Sequence, residues 1–284
     1  MHDPRHPATS TAALPPLLRL VHPAPAAAVV LLATALAAIL AAEGGTVDLV
    51  RVALVGLAVT GSQIVTGALN DWADRERDAA SGQRKPITAG LVSPRAAVRL
   101  AAAGGALQLA ASLPLGTTFV GLGAIVLSSA IAYDLWLSRT PLSVLPYLVS
   151  FGLLPVWVAS GVGAPFDRVV AAAPLAAAFA AAAHLANTLR DWEADAIGGS
   201  RSLAQTLGRT TSRAVASGLT LAVGLGVGGA LLVAGRMTPE VAVSGLVGLV
   251  AVGAGTLRSE WLWRGQLVAA VAWTVAWGLS GAQP

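Results

Sequence analysis

The stretch VDLVRVALVGLAVTGSQIVTGALNDWADRERDAASGQRKP, residues 47–86, decides the fold. Its first part, 47–69, is almost wholly apolar. From Asn70 to Pro86 it gathers four acids, three arginines and the only lysine of the chain, Lys85. An apolar run of about 20 residues that ends in dense charge reads as a membrane span delivering a polar cluster to the bilayer surface.

The rest of the chain repeats the pattern. Only 11% of its 284 residues are charged and 55% are hydrophobic, where a soluble protein carries about 25% charged residues. Mean hydropathy is +0.71. Abundant alanine and 31 glycines suit the close approach of helices inside a bilayer. A large soluble domain is excluded. With no cysteine in the chain, disulfide and thiol chemistry are excluded too. The first residues lack a basic start followed by an apolar core and a cleavage site, so no signal peptide is expected. The pI near 10.6 is accounted for by membrane topology, and no nucleic-acid partner is expected.

The expected fold class is all-α: a polytopic bundle of nine transmembrane helices around a central cavity, in two internally related halves. The spans fall near 24–42, 47–69, 94–113, 117–137, 142–162, 168–188, 211–234, 239–257 and 262–280. Pro114, Pro141 and Pro155 interrupt the third to fifth and leave their division open. Residues 1–21 form a cytoplasmic tail and 22–284 the transmembrane domain. With the N-terminus inside, 15 of the 18 basic residues, Arg5 and Arg258 among them, lie on the cytoplasmic side. Only Arg51, Arg168 and Arg236 lie on the other. The positive-inside rule then sets the N-terminus inside and the C-terminus outside. Both long polar segments, 70–93 and 189–210, are cytoplasmic, which locates the function on that face.

Those two segments are copies. The pattern N-x3-D-x3-D-A-x2-G-x-R runs through Asn70, Asp74, Asp78, Ala79, Gly82 and Arg84. It runs again through Asn187, Asp191, Asp195, Ala196, Gly199 and Arg201, each 117 residues further on. Coincidence in an Ala/Gly/Arg-rich chain is the plain alternative. Six matches at one offset favour duplication, with each half presenting an acidic helix end to a shared cavity.

Asp71, Asp74 and Asp78 are spaced i, i+3, i+7 and share one helix face. Carboxylates stacked in this way repel one another unless a cation lies between them. Hard oxygen ligands suit Mg²⁺. The neighbouring Arg75, Arg77, Arg84, Lys85, Arg190 and Arg201 suit a phosphate or diphosphate. Acids for metal and bases for phosphate, in duplicate at a membrane face, describe a site for a phosphorylated lipid. Two plainer readings stand beside it. One is a solvated loop whose charges merely pair; the other is ion transport through intramembrane acids.

At these residues the chain resembles the UbiA superfamily of intramembrane prenyltransferases. NDWADRERD (70–78) fits the superfamily's NDxxDxxxD motif, and RKPITAG (84–90) looks like its Arg/Lys-Pro-x3-Gly continuation. RDWEADAIGGSRSLAQTLG (190–208) is similar to its second motif, DxxxD followed by Gly and a Ser/Thr-Leu pair. The resemblance covers nearly the whole chain. It implies a Mg²⁺-dependent transfer of an isoprenyl group from a prenyl diphosphate to a small aromatic or lipid-like acceptor in the membrane. It implies Asp71, Asp74, Asp78, Asp191 and Asp195 as metal ligands. Asn70 and Asn187 would orient the diphosphate or complete the metal shell, and Arg84, Lys85 and Arg201 would clamp it. The superfamily also tends to carry Tyr followed by Lys-Arg after its fourth helix. YDLWLSRTP (133–141) keeps Tyr133 and Arg139, with Ser138 and Leu137 where a lysine is common. Asp134, beside Tyr133, has no counterpart in this pattern.

Fainter signals surround the motifs. Gln63 and Thr66 lead to Asn70 as a polar stripe. His184 lies one turn before Asn187 and either touches the acceptor or packs as a neutral histidine. Arg19 and His22 either close the cavity floor or anchor the chain at the interface. Trp261 and Trp263 read as an interfacial belt, and Trp273 and Trp277 as packing or lipid-facing residues. Other functions remain compatible with the residues: a terpene cyclase on the same scaffold, phosphoribosyl transfer to a polyprenyl phosphate, or a transporter or lipid-binding protein without catalysis.

Overall fold

The computed structural model describes residues 14–45, 47–197, 199–257 and 259–281. Arg5, Arg258 and residues 1–13 of the expected tail lie outside them. The described residues form twelve helices and no strand. They are α1 (Pro16–Arg19), α2 (Pro23–Glu43), α3 (Leu49–Ala80), α4 (Pro94–Ser112), α5 (Thr117–Leu135) and α6 (Leu145–Val162). There follow α7 (Ala172–Arg190), α8 (Trp192–Ile197), α9 (Leu203–Leu207), α10 (Arg209–Val233), α11 (Pro239–Leu257) and α12 (Ser259–Gly281). Eight of these, α2 to α7 with α10 and α11, are long and apolar enough to cross a membrane. The ninth expected span corresponds to α12, which has the length at 23 residues. It interrupts its apolar run with Arg264 and Gln266. The protein is an integral, multi-pass membrane protein.

The three prolines resolve as follows. Pro114 lies in a short 3-10 turn between α4 and α5, Pro141 lies between α5 and α6, and Pro155 lies inside α6. Helix starts are set by local chemistry. Asp48 accepts hydrogen bonds from the N–H groups of Val50 and Arg51 at the head of α3, and Ser93 caps α4 ahead of Pro94.

Successive long helices run antiparallel, joined by short turns at one end of the bundle and mostly by longer polar segments at the other. The C-terminal ends of α3, α5 and α7 therefore meet the N-terminal ends of α4, α6 and α10 at one end of the bundle. Small residues let the helices close up: a Cβ built on Gly61 of α3 would lie 2.5 Å from the backbone nitrogen of Gln108 on α4. The core of the first half centres on Phe119 and Trp157, whose ring centroids are 5.2 Å apart. Trp273 fills the second half, packed on Gly224, Gly248 and Phe179. Of the two Trp273 readings, packing is the one observed.

At 32 residues α3 is the longest helix. At 1.5 Å per residue it is about 48 Å long, against a hydrocarbon core of about 30 Å. The segment 70–93, read as a polar loop, is thus helical as far as Ala80. The helix crosses the membrane by about Asn70, and its last three turns carry the charges beyond the apolar zone.

Candidate active site

The first acid cluster lies on those last turns. Asp71 is 1% exposed and Asp78 is also buried. Lys85, returning from the loop after α3, bridges them: its Nζ is 3.2 Å from Asp71 Oδ1 and 3.0 Å from Asp78 Oδ2. Burial works against the charge on Lys85, but the carboxylates of Asp71 and Asp78 outweigh it and raise its pKa above the ordinary value. Asp74 is held from two sides, by Arg77 one turn away and by Arg139, whose Nη2 donates across 3.2 Å. Arg139 also donates to the carbonyl of Ala73 at 3.2 Å. Three carboxylates thus face three cations.

The second cluster is more open. Arg190 holds Asp191 in a two-armed pair at 3.0 and 3.1 Å, and both side chains are close to half exposed. Asp191 caps the C-terminal end of α7, and Asp195 follows one turn on in α8, its N–H donating to the Asp191 carbonyl at 3.0 Å. Burial and the neighbouring Asp191 carboxylate push Asp195 up to about 6, while Arg77 and Lys85 pull the other way and Asp74 adds repulsion. Asp195 therefore lies within the electrostatic field of the first cluster. The backbone joins the halves as well: the N–H of Arg201 donates to the carbonyl of Arg139 at 3.1 Å.

The remaining residues singled out in the sequence divide. Tyr133 packs edge-on against Tyr147 and His184, with centroids 5.2 and 5.8 Å away. Asn70 donates to Asp134 Oδ1 at 3.4 Å, so Asp134, 1% exposed, partners an amide. His184 is buried, its Nε2 2.9 Å from Ser143 Oγ, which also accepts the N–H of Leu203. Asn187 is half-buried on α7, and Arg84 and Arg201 are exposed; among the described residues these two arginines pair with no acid. Glu76 and Glu193 point outward and pair with Arg75 and Arg209. Thr66 donates to Ser62 within its own helix.

Sequence reasoning underrated His22. Its Nε2 donates to Asp71 Oδ1 at 3.1 Å. The contact depends on Gly67, one turn before Asp71. A Cβ there would lie 2.6 Å from the carbonyl oxygen of Leu20 and 2.8 Å from Val21 Cα. Residues 20–22 cross α3 at that glycine, and His22 takes a left-handed conformation (φ 52°) to turn into α2. The available signal was a histidine directly before Pro-Ala-Pro, and a glycine one turn ahead of the acidic motif.

Among the described residues no three acids or histidines converge as a ready metal cage. The donor set nonetheless fits a hard divalent cation. Asp71 Oδ2 is buried without a hydrogen-bond partner, and buried carboxylate oxygens of this kind need a cation or a donor.

A profile of the UbiA prenyltransferase family matches residues 31–258, and the chain belongs to that family. A digeranylgeranylglyceryl phosphate synthase of Natronomonas pharaonis is 30% identical over 169 residues. That match covers 58% of this chain and 61% of the relative, less than two thirds of its length. An apo structure of a UbiA homolog from Aeropyrum pernix K1 superposes with a TM-score of 0.73 at 19% identity, covering 87% of this chain and 96% of that one. A UbiA homolog from Archaeoglobus fulgidus bound to GPP and Mg²⁺ gives 0.67 at 18% identity, covering 93% and 99%. At these identities the likeness establishes the fold.

Proposed function

We propose that this protein is a Mg²⁺-dependent prenyltransferase that moves an isoprenyl group from a prenyl diphosphate to an aromatic or lipid-like acceptor within the membrane. The observation that supports the reading is that two acid motifs, 117 residues apart in sequence, lie at the C-terminal ends of α3 and α7, and that the segment after the second is tied to the first: the N–H of Arg201 donates to the carbonyl of Arg139, a residue that holds Asp74. The GPP and Mg²⁺ in the Archaeoglobus homolog and the name of the Natronomonas relative support the same chemistry.

Asp71, Asp74 and Asp78 hold one Mg²⁺ in this reading, and Asp191 and Asp195 a second. Mg²⁺ keeps waters and takes one or two carboxylates together with substrate phosphates, so a dense protein cage is not required. When bound, the metal neutralises charge that develops on the leaving diphosphate. The protein's own cations do the rest. Lys85, Arg77 and Arg139 exchange carboxylate partners for phosphate oxygens, with Arg84 and Arg201 free to reach the same group. Asn70 and Asn187 orient the diphosphate. Tyr133 and Tyr147, packed edge to face behind the motif, exclude water from the reactive allylic carbon. The charge asymmetry along the chain supports a cytoplasmic face for the site, with the N-terminus inside and the C-terminus outside.

Diphosphate release by the purified protein tests this. Geranyl, farnesyl and geranylgeranyl diphosphates are offered with a membrane lipid extract and with aromatic acceptors, in Mg²⁺ and in EDTA. Release that requires Mg²⁺ is expected from at least one donor. No Mg²⁺-dependent release from any donor with any acceptor overturns the reading.

A further inference from the structure

Beside the second motif, a pocket of about 780 Å³ opens between α7, α8, α10 and α11. Its walls carry Arg190, Arg209 and Arg213, with Trp192, Ser217 and Thr256. We infer that Arg209 and Arg213, neither of them among the proposed diphosphate-binding residues, bind the phosphate of an anionic membrane phospholipid in this pocket, whose lining also includes Asp191 of the second motif.

Four observations carry it. The first is charge: three guanidinium groups face two acids, Asp191 and Glu193. Arg190 pairs with Asp191 and Arg209 with Glu193. Among the described side chains Arg213 pairs with no acid; it donates to the carbonyl of Thr256 near the end of α11, one of its five N–H donors. The second is orientation. Arg209 lies 5.0 Å above the Trp192 ring and Arg190 5.3 Å above the Trp263 ring. Stacking holds both forks flat; Arg190 gives two of its N–H groups to Asp191 and Arg209 one to Glu193, and the remaining N–H groups are available to oxygen acceptors. The third is depth. The pocket sits where α10 begins and α11 ends, among interfacial tryptophans, at the level where lipid phosphates lie. The fourth is continuity with the lipid-facing surface, for Leu221, Leu225, Val250 and Leu257 on the same two helices are exposed. A lipid can place its phosphate among the arginines and its acyl chains along that surface; a soluble phosphate gains only the first contact. The bland alternative is that the arginines merely pair with their neighbours and close α11. It leaves the surplus guanidinium and the lined cavity without a purpose.

The test uses the full chain in detergent, with phosphatidylglycerol or phosphatidylcholine added and retained lipid counted by native mass spectrometry. Phosphatidylglycerol is expected to be retained in preference to phosphatidylcholine. Arg209→Gln/Arg213→Gln should weaken its retention about tenfold, the loss of one to two charged hydrogen bonds. Arg209→Lys/Arg213→Lys should restore part of it. Arg95→Gln/Arg99→Gln removes the same charge from the same end of the bundle, at the exposed start of α4, and should leave retention unchanged. Equal losses in the glutamine pairs would overturn the proposal in favour of diffuse charge. Displacement of the lipid by inorganic phosphate as readily as by phosphatidylglycerol would overturn it in favour of a soluble anion. If the double variant does not fold, Arg209→Gln against Arg95→Gln makes the same comparison, since Arg209 is about half exposed. No readout depends on turnover, so the result stands or falls apart from the proposed catalysis.

Discussion

The two copies of the acidic motif share a spacing but not an environment. In the first copy, Asp71 and Asp78 are buried under Lys85, and residues 20–22 lie across the helix that carries them. In the second, Asp191 is 45% exposed, its partner is the adjacent Arg190, and the helix breaks at the acid itself. The same N-x3-D-x3-D pattern thus yields a buried cluster paired with Lys85 in one half and a more exposed one in the other. The difference comes from what is packed around each copy. The first has a 32-residue helix, a covering N-terminal strap and a lysine loop; the second has a short helix beside an arginine-lined pocket.

The sharpest way to break this comparison is stability. Asp78→Ala removes one carboxylate from a buried ion pair and should cost about 3 kcal/mol, because Lys85 is left with a single partner. Asp191→Ala removes an exposed pair and should cost at most about 1 kcal/mol. Thermal unfolding in detergent, followed by loss of the monodisperse peak, compares the two; equal losses would erase the distinction between the buried and the exposed cluster. Next in size is Gly67→Val, which pushes against Leu20 and Val21. Overpacking of this kind costs about 1–3 kcal/mol and should free the N-terminal strap to limited proteolysis near residues 14–22. Unchanged cleavage would mean that the strap is not held at Gly67. The smallest effect belongs to His22→Ala. His22 is 41% exposed on its side chain, so its pair with Asp71 is worth at most about 1 kcal/mol. A several-fold change in donor KM with little change in thermal stability is expected, read from initial rates.

Much of this was legible in the residues. The spacing of Asp71, Asp74 and Asp78 fixed their common face, and the 117-residue offset tied them to Asp191 and Asp195. Prolines and short polar turns marked most helix ends. Three features were hidden, for three physical reasons. His22 reaches Asp71 through a left-handed turn and a glycine crossing, neither of which has a periodic signature. Asp134 finds Asn70 across a helix interface, a pairing set by rotation of α5 against α3 and not by spacing along either. Lys85, read as a phosphate clamp, is in addition the counter-charge of two acids, because the loop that follows α3 folds back over its end. The ninth span marks another limit: α12 has a helix's length, yet its tryptophans, Arg264 and Gln266 dilute the apolar run by which spans are recognised.

The central claim is that both copies serve one metal-dependent site. The direct measurement is Mg²⁺-dependent diphosphate release by Asp74→Ala and by Asp191→Ala, each checked for a folded, membrane-inserted protein. A fall of about a hundredfold or more in both variants is predicted, since each removes charge aimed at the reacting group. Loss in Asp74→Ala beside wild-type release in Asp191→Ala would contradict it, leaving the second copy outside the site.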